Sequence, residues 1–553
     1  MLRIGLMLDS YKTSAWVAKI VEDIQASDFA RIHLVVLNTP IVQTPTTWKK
    51  RLVASWRLTA FNRYEQWDYQ RNRLKQDAKA STDLSEILRD VPAIRVEPQR
   101  KGFTDRFDDE SLSRILTAEL DVLFRFGFRI IRGGVLDAAR FGVWSFHHDD
   151  NEEYRGGPPL FWEIYESNPV SGTILQRLTD TLDGGQVLYR GYSSTNFSSL
   201  YLNRNPVYWK TAEFALRRLR DLHERGYDYL KSLRGYQKNG HYTKPIYRTP
   251  NAAQMSIYLA RRAGRSIQGR LRGHFKGNAP QWFLSVRRRT SGRGFDDPSG
   301  YRIVLPPEGR FYADPILFKR DGRTFLFFEN YSYAEGRASI SCAQLNSDGS
   351  LGDVFEVLRC PYHLSYPFVF EHEGEVYMIP ESKQNRTVEL YRAEEFPRRW
   401  KLEAVLMKDV FAVDSTIHVQ DGRFWMFAGV SNGLYSNSDE LGIFYADRLT
   451  GPWTAHRNNP VVSDVRRARP AGALFYWQGR LIRPSQDCGR TYGYALNFSE
   501  LVKLNEEEYE ERQIGRIGPE WAKGNLGTHT YSVSEDFEVI DGHFPVKAAD
   551  NPE

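Results

Sequence analysis

A chain of 553 residues, 41% hydrophobic and 26% charged, is too long for one core and has the composition of a folded multidomain protein. Three cysteines (Cys342, Cys360, Cys488), an odd number with no CxxC spacing, argue against a structural zinc site or a disulfide framework. No run of about 18 apolar residues occurs, and the opening RIGLMLD reads as a buried strand rather than a signal peptide, so a cytoplasmic enzyme is the expectation.

The net charge of +6 is unevenly spread: between Asp228 and Asp296 stand fifteen lysines and arginines and no acidic residue, so the rest of the chain is net acidic. Such segregation calls for an anionic partner of the basic segment or an acidic face elsewhere. In chain order, LRIGLMLD, AWVAKIVEDI and IHLVVLN predict strand, helix and strand, a βαβ unit of a parallel sheet. No GxGxxG follows the first strand, so a dinucleotide site is not expected. Residues 46–80 predict an insertion or a surface helix. ESLSRILTAEL then predicts a helix, DVLFRFGF a strand, IIRGGVLDAARFG a short helix ending at Gly142, and VWSFHHDD the next strand. Chemistry in open α/β sheets gathers at strand C-termini, where His147, His148, Asp149, Asp150 and Asn151 fall. A YRGGPP turn follows, and about one strand and helix later LDGG centres on Asp183. Adjacent histidines on a strand point to opposite faces, so this cluster is not expected to hold a metal.

Residues 120–190 carry a specific resemblance. The run from DVLFRFGF through HHDDNEEYRGGPP to LDGGQVL resembles the folate-dependent formyltransferases, which include methionyl-tRNA and sugar N-formyltransferases. That family's pattern is Asn-x-His at a strand end, a Tyr-Arg-Gly turn, then Leu-Asp-x-Gly. His147 falls on the histidine, Tyr154, Arg155 and Gly156 on the turn, Asp183 on the aspartate, and Ser145 replaces the asparagine. The resemblance implies a Rossmann-like α/β domain over residues 1–195 that uses 10-formyltetrahydrofolate to formylate an amine. His147 would then stabilise the oxyanion or relay the proton, oriented by Asp183. Ser145 has a shorter reach than asparagine, and His148 or Asn151 offers a substitute. With His148, Asp149, Tyr154, Arg155 and Gly156, these are the expected substrate-contacting residues. A formyltransferase fold kept only as a binding scaffold is the alternative.

Residues 196–280 predict a basic helical connector. VYWKTAEFALRRLRDLHERG has helical spacing and ends at Gly226, and from Leu259 the apolar Ala263, Ile267, Leu271 and Phe275 recur among arginines. A basic amphipathic helix of this kind, over residues 255–290, fits an anionic membrane surface on the inner face, or equally a connector packed on the acidic remainder. The aromatic platform of a nucleic-acid binder is absent, so no nucleic acid is expected.

From about residue 281 the pattern becomes short aromatic strands. Four segments superpose on Gly322, Gly374, Gly422 and Gly479, with a weaker fifth around Gly542, so a repeat of roughly 50 residues predicts an all-β five-bladed propeller over residues 281–553. Eight positions before each of the first four glycines stand Asp314, Tyr366, Asp414 and Ala471, and seven after stand Glu329, Glu381, Gly429 and Gln486. Equivalent positions ring one face or the channel, so Asp314, Asp414 and a glutamate are expected to converge, as glycoside chemistry requires. Arg483 and His529 add groups able to read a sugar or phosphate. The Ala-Asp-Pro of residues 313–315 resembles the first blade of arabinanase- and fructosidase-type glycoside hydrolases, and the region resembles the N-terminal domain of glucosamine inositolphosphorylceramide transferases. The expectation is a two-module transferase that formylates an amino sugar or nucleotide sugar and binds carbohydrate at its propeller. The alternatives are catalysis by the propeller beside a degenerate first domain, and a glycan-binding scaffold at a membrane.

Overall fold

The computed structural model describes residues 1–39, 48–180, 184–233, 244–274, 281–290 and 292–545, with the backbone alone for 48–59 and 268–274. The chain divides into two compact units, Met1–Ser266 and Ile267–Glu553.

The first unit is built on a seven-stranded sheet. Its strands are β1 (Leu2–Leu8), β2 (Ala30–Asn38), β3 (Ala93–Val96), β4 (Val122–Arg125), β5 (Val143–His147), β6 (Val170–Arg177) and β7 (Gln186–Ser194), in the order β7-β6-β5-β4-β1-β2-β3. The five strands from β5 to β3 are parallel, while β6 and β7 join antiparallel beside β5. Both faces are covered, as a parallel sheet requires. On one face Met7, Val36, Leu123 and Val143 pack with Ile115 of the helix α3 (Asp109–Leu116). On the other, α1 (Ala15–Ala26) packs against the long helix α5 (Leu200–Ser232), which also touches β6 and β7. Residues 48–72 form the helix α2.

The structure differs from the sequence reading over residues 196–280. Much of this segment is not a connector: α5 buries Val207, Ala212, Phe214, Ala215 and Leu219 and completes the first unit's core. Gly226 marks a kink at φ 78° rather than the helix end, because its backbone turns left-handed and the chain resumes helix beyond it. The helix α6 (Ala252–His274) buries Met255 and Tyr258 among Phe61, Tyr64, Phe161 and Trp162. Three of its arginines bond the first unit's loops: Arg261 donates to the Tyr165 carbonyl at 2.6 Å, Arg262 to the Ser198 carbonyl at 2.8 Å and Arg265 to Ser167 Oγ at 2.8 Å. Among the described residues no helix is long and apolar enough to cross a membrane.

The second unit consists of five four-stranded antiparallel sheets. Four are simple meanders, over residues 310–358, 365–408, 411–455 and 475–517. The fifth pairs Gln281–Arg288 with Phe537–Phe544, so the two ends of the unit are hydrogen-bonded to each other. Apolar clusters lie between successive sheets, and one joins Ile482 and Phe498 of the 475–517 sheet to Tyr531 and Ile540 of the fifth. The sheets therefore close into a propeller-like ring with no open edge of the series. In the four meanders the first hairpin turns on Asp321-Gly322, Glu373-Gly374, Asp421-Gly422 and Gln478-Gly479. All eight of these residues have positive φ, between 48° and 80°, as two-residue turns matching strand twist demand. The weak fifth repeat does not hold: Gly542 lies inside a strand opposite Phe283, and that sheet's hairpin turns at Ser534–Asp536 instead.

Candidate functional site

His147 is the last residue of β5. Two register positions before it, Ser145 lies opposite Arg125 of β4 and Gln176 of β6, at the centre of the sheet. Ser145 is buried, and its Oγ accepts a hydrogen bond from Arg125 Nε at 3.1 Å. It is thus held inside the sheet by a neighbouring strand, which does not suit the expected oxyanion role. The His147 ring stays partly exposed, with Nε2 3.2 Å from the Tyr154 carbonyl and 4.0 Å from Asp149 Oδ2. Asp183 lies outside the described residues.

His148 points the other way, as alternation on a strand dictates. It stacks on Tyr208 of α5 with 3.8 Å between centroids and meets Trp16 of α1 edge-on at 5.0 Å. Its Nε2 has no hydrogen-bond partner, and burial drives its pKa well below that of a free imidazole. It is a buried ring in an aromatic box. Asp149 is buried as well, accepting the Leu160 N–H at 2.7 Å. Asn151, also buried, accepts from Arg190 of β7 at 3.3 Å, so the offered substitutes for the missing asparagine are committed elsewhere. The Tyr154 hydroxyl joins Glu166 and Asn168, while Arg155 and Gly156 pair with Ile246 and Tyr247. A side chain on Gly156 would sit 2.2 Å from the Tyr247 carbonyl, which is why the turn takes glycine at φ 95°.

The second unit gathers the other candidates. Asp314, Tyr366 and Asp414 each have left-handed backbone, φ 53°, 43° and 52°, at a register shift in the first strand of their sheets. The extra residue of each bulge re-aims its side chain at a cost in local strain. Asp414 receives Arg469 Nε at 2.6 Å and Nη2 at 3.1 Å, and Gln486 Nε2 at 2.8 Å. The same Arg469 reaches Glu381 Oε2 at 3.3 Å and lies over the Tyr492 ring. Asp314 accepts the Tyr366 N–H at 3.1 Å and the Thr530 hydroxyl at 2.8 Å. His529 bridges, with Nδ1 2.5 Å from Asp541 and Nε2 3.6 Å from Asp314, and its other face stacks on Trp282.

Burial and mutual repulsion raise these carboxyls. Asp314 moves up to about 6 and Glu381 to about 8, while Glu329 moves well above the usual range, with His363 Nε2 3.4 Å away. Burial opposes charge on His529, but Asp541 and Asp314 outweigh it and raise its pKa. Asp314, His529 and Asp541 lie close enough to hold a metal ion, yet the backbone N–H groups of Asp314, His529 and Thr530 already fill Asp541's oxygens. The His529 ring lies between these two carboxyl groups, within reach of both.

Arg483 is not part of this cluster: it is buried against Glu511 at 2.8 Å and donates to the Arg467 carbonyl, three residues along its strand from Gln486. Sequence reasoning missed Arg469, Asp541 and Tyr492. Gln486 shared the aligned position with the glutamates, whereas Arg469 and Tyr492 lie in irregular segments with no repeat position to flag them.

These features define a chain with a mostly parallel α/β sheet at one end and a propeller-like β ring at the other. Residues 306–528 match the family model described as glucosamine inositolphosphorylceramide transferase 1, N-terminal. The rice (Oryza sativa subsp. japonica) protein of that name is 38% identical over 252 residues, 43% of this chain and 34% of the relative. The Arabidopsis thaliana protein is 36% identical over 208 residues, 37% of this chain and 27% of the relative. The chain thus spans about a third of the length of these curated relatives. A methionyl-tRNA formyltransferase from Rickettsia canadensis is 26% identical over 164 residues, 29% of this chain and 49% of that protein. Among solved structures, a β-xylosidase, RS223, covers 42% of this chain and 94% of its own at 15% identity and a TM-score of 0.31.

Proposed function

We propose that the chain is a two-module transferase of glycan biosynthesis. Its first unit formylates the amine of an amino sugar, taking the formyl group from 10-formyltetrahydrofolate, and its second unit holds the glycan. The observation that carries this reading is His147, partly exposed at the end of the last parallel strand with the Tyr-Arg-Gly turn folded back to its ring. An imidazole there suits the proton traffic of amine acylation. The similarity to methionyl-tRNA formyltransferases supports the class of reaction, and that to the plant transferases supports a glycan-linked setting. The missing asparagine leaves His147 as the principal polar group offered to the formyl oxygen. Calorimetric binding of a stable folate analogue tests the proposal: the wild type should bind and His147→Ala should bind at least tenfold more weakly. A wild type that binds no folate would remove the formyl donor from the scheme.

A second reading places chemistry in the ring. It is favoured by Glu329 and Glu381, whose carboxyls are pushed toward the protonated form, in one ring with Asp414, which Arg469 and Gln486 hydrogen-bond. Environments that separate carboxyls in this way are what acid–base pairs on glycosidic bonds need. Release of a chromogenic aglycone by wild type, lost in Glu329→Gln and Glu381→Gln, would select this reading.

A further inference from the structure

Glu163, in the short helix α4 (Trp162–Glu166), has none of its surface exposed. Neither of its carboxyl oxygens receives a hydrogen bond from a described donor. Asp149 lies beside it, likewise buried, with one backbone N–H, that of Leu160, on Oδ1. Two adjacent carboxylates in a dry site, with the Leu160 N–H on one and only the pull of its own backbone N–H on the other, cannot both stay ionised.

The surrounding charges do not change that conclusion. Arg204 of α5 is the cation that faces both groups, but its Nε donates to the Pro159 carbonyl at 2.9 Å and its Nη1 pairs with Glu65 of α2. Glu166 adds repulsion from the same short helix, and His148 is neutral in its aromatic box with Tyr208. Lys79 faces His148 from the loop after α2. Desolvation raises Asp149 well above the carboxylate range and Glu163 to about 8, and Arg204 offsets only part of this. A retained proton belongs to such a pair rather than to either residue.

We propose that Asp149 and Glu163 share one proton and act as positioning residues for His147, presenting it with a single negative charge 4.0 Å from Nε2. The role rests on the formyl-transfer reading, in which His147 handles the proton. There the amine lone pair forms the new C–N bond and the electron pair of the broken C–N10 bond returns to N10. The proton leaving the amine passes through His147 to N10 of the departing tetrahydrofolate. The pair gains and loses nothing over a turnover, and its charge favours the imidazolium between the two transfers.

The test is a carbon-13 titration of Asp and Glu carboxyls in the full chain, with the His147 ring followed in parallel. Asp149→Asn and Glu163→Gln supply the assignments. One carboxyl resonance should keep its proton beyond pH 7 and vanish in Glu163→Gln, where the amide donates to an ionised Asp149. Asp149→Asn should lower the His147 pKa by about one unit or more, whereas Glu163→Gln, which keeps the charge, should leave it in place. If no carboxyl resonance that titrates above pH 7 in the wild type is lost in Glu163→Gln, proton sharing is overturned. If the His147 pKa is unmoved in Asp149→Asn, the positioning role is overturned. Should Asp149→Asn fail to fold, the carboxyl resonance in wild type and Glu163→Gln decides the sharing, and a fall of the His147 pKa in Glu163→Gln would overturn the role. Failure of the formyl reading would appear in folate binding and not in these titrations, so the two are distinguishable.

Discussion

The two units bury histidine next to carboxylate and reach opposite results. In the first, His148 is boxed by Trp16 and Tyr208, and burial, reinforced by the positive charges of His147, Lys79 and Arg204, drives its pKa well below that of a free imidazole. In the second, His529 is at least as buried, yet Asp541 at 2.5 Å and Asp314 at 3.6 Å raise its pKa. The lesson is that burial sets the penalty for charge and partner geometry decides whether it is overcome. The same holds for arginine: Arg469 organises a cluster with Asp414 and Glu381, while Arg483, three positions from Gln486, faces Glu511, Tyr509 and the Arg467 carbonyl instead.

The largest effect expected from breaking that comparison is at Arg483. Replacing it by methionine leaves buried Glu511 with only Arg467 at 3.3 Å and the Tyr509 hydroxyl at 2.7 Å, and should cost roughly 3 kcal/mol in urea unfolding, the low end for a broken buried pair. Glycan affinity per folded molecule should be unchanged, whereas Arg469→Met should abolish it; loss of affinity in both would erase the distinction. Next is Gly156→Ala, where the new methyl meets the Tyr247 carbonyl at left-handed φ. A cost of about 1–3 kcal/mol confined to the first unit's unfolding transition is expected, read by differential scanning calorimetry.

The pH dependence sharpens the contrast. Asp314, whose pKa rises from 3.8 to about 6, and Glu381, raised from 4.5 to about 8, contribute stability that is full below those ordinary values and lost as pH rises through the raised ones. His529 acts with the same sign, contributing below 6.5 and losing its contribution as pH passes its raised value. His148 acts oppositely, since its pKa is lowered: its contribution is present above 6.5 and lost as pH falls. Acidification from pH 8 to pH 6 should therefore raise the melting temperature of the second unit, and Glu381→Gln should flatten that rise. In the first unit His148 should work against the gain from the Asp149–Glu163 pair, and His148→Phe should remove the opposition. The smallest effect is that same His148→Phe at neutral pH, where an aromatic ring of similar shape should change stability by less than about 1.5 kcal/mol. Folate binding should survive it, in contrast to His147→Ala.

Much of the architecture was legible in the chain because it is written in local periodicity. Near-continuous apolar runs marked β1, β2, β4 and β5, and the dipeptides at Gly322, Gly374, Gly422 and Gly479 marked hairpins because such turns require positive φ. Counting from those glycines also placed Asp314, Glu381, Asp414 and Gln486 within one cluster, since register propagates along a strand. The same counting failed at Gly542, which pairs across a sheet made from both ends of the unit. The apolar spacing of α5 was legible too, but not that its stripe completes the first unit's core, which packing on α1, β6 and β7 displays.

What the sequence determined by itself was where strands turn and which residues stand at equivalent positions, because these depend on neighbours within a few bonds. Tertiary structure alone decided the charge states. Whether Ser145 meets Arg125, His148 a tyrosine, Glu163 an aspartate or Asp414 an arginine depends on groups from 14 to 60 residues away, and the electrostatic environment exists only once those groups exclude water together.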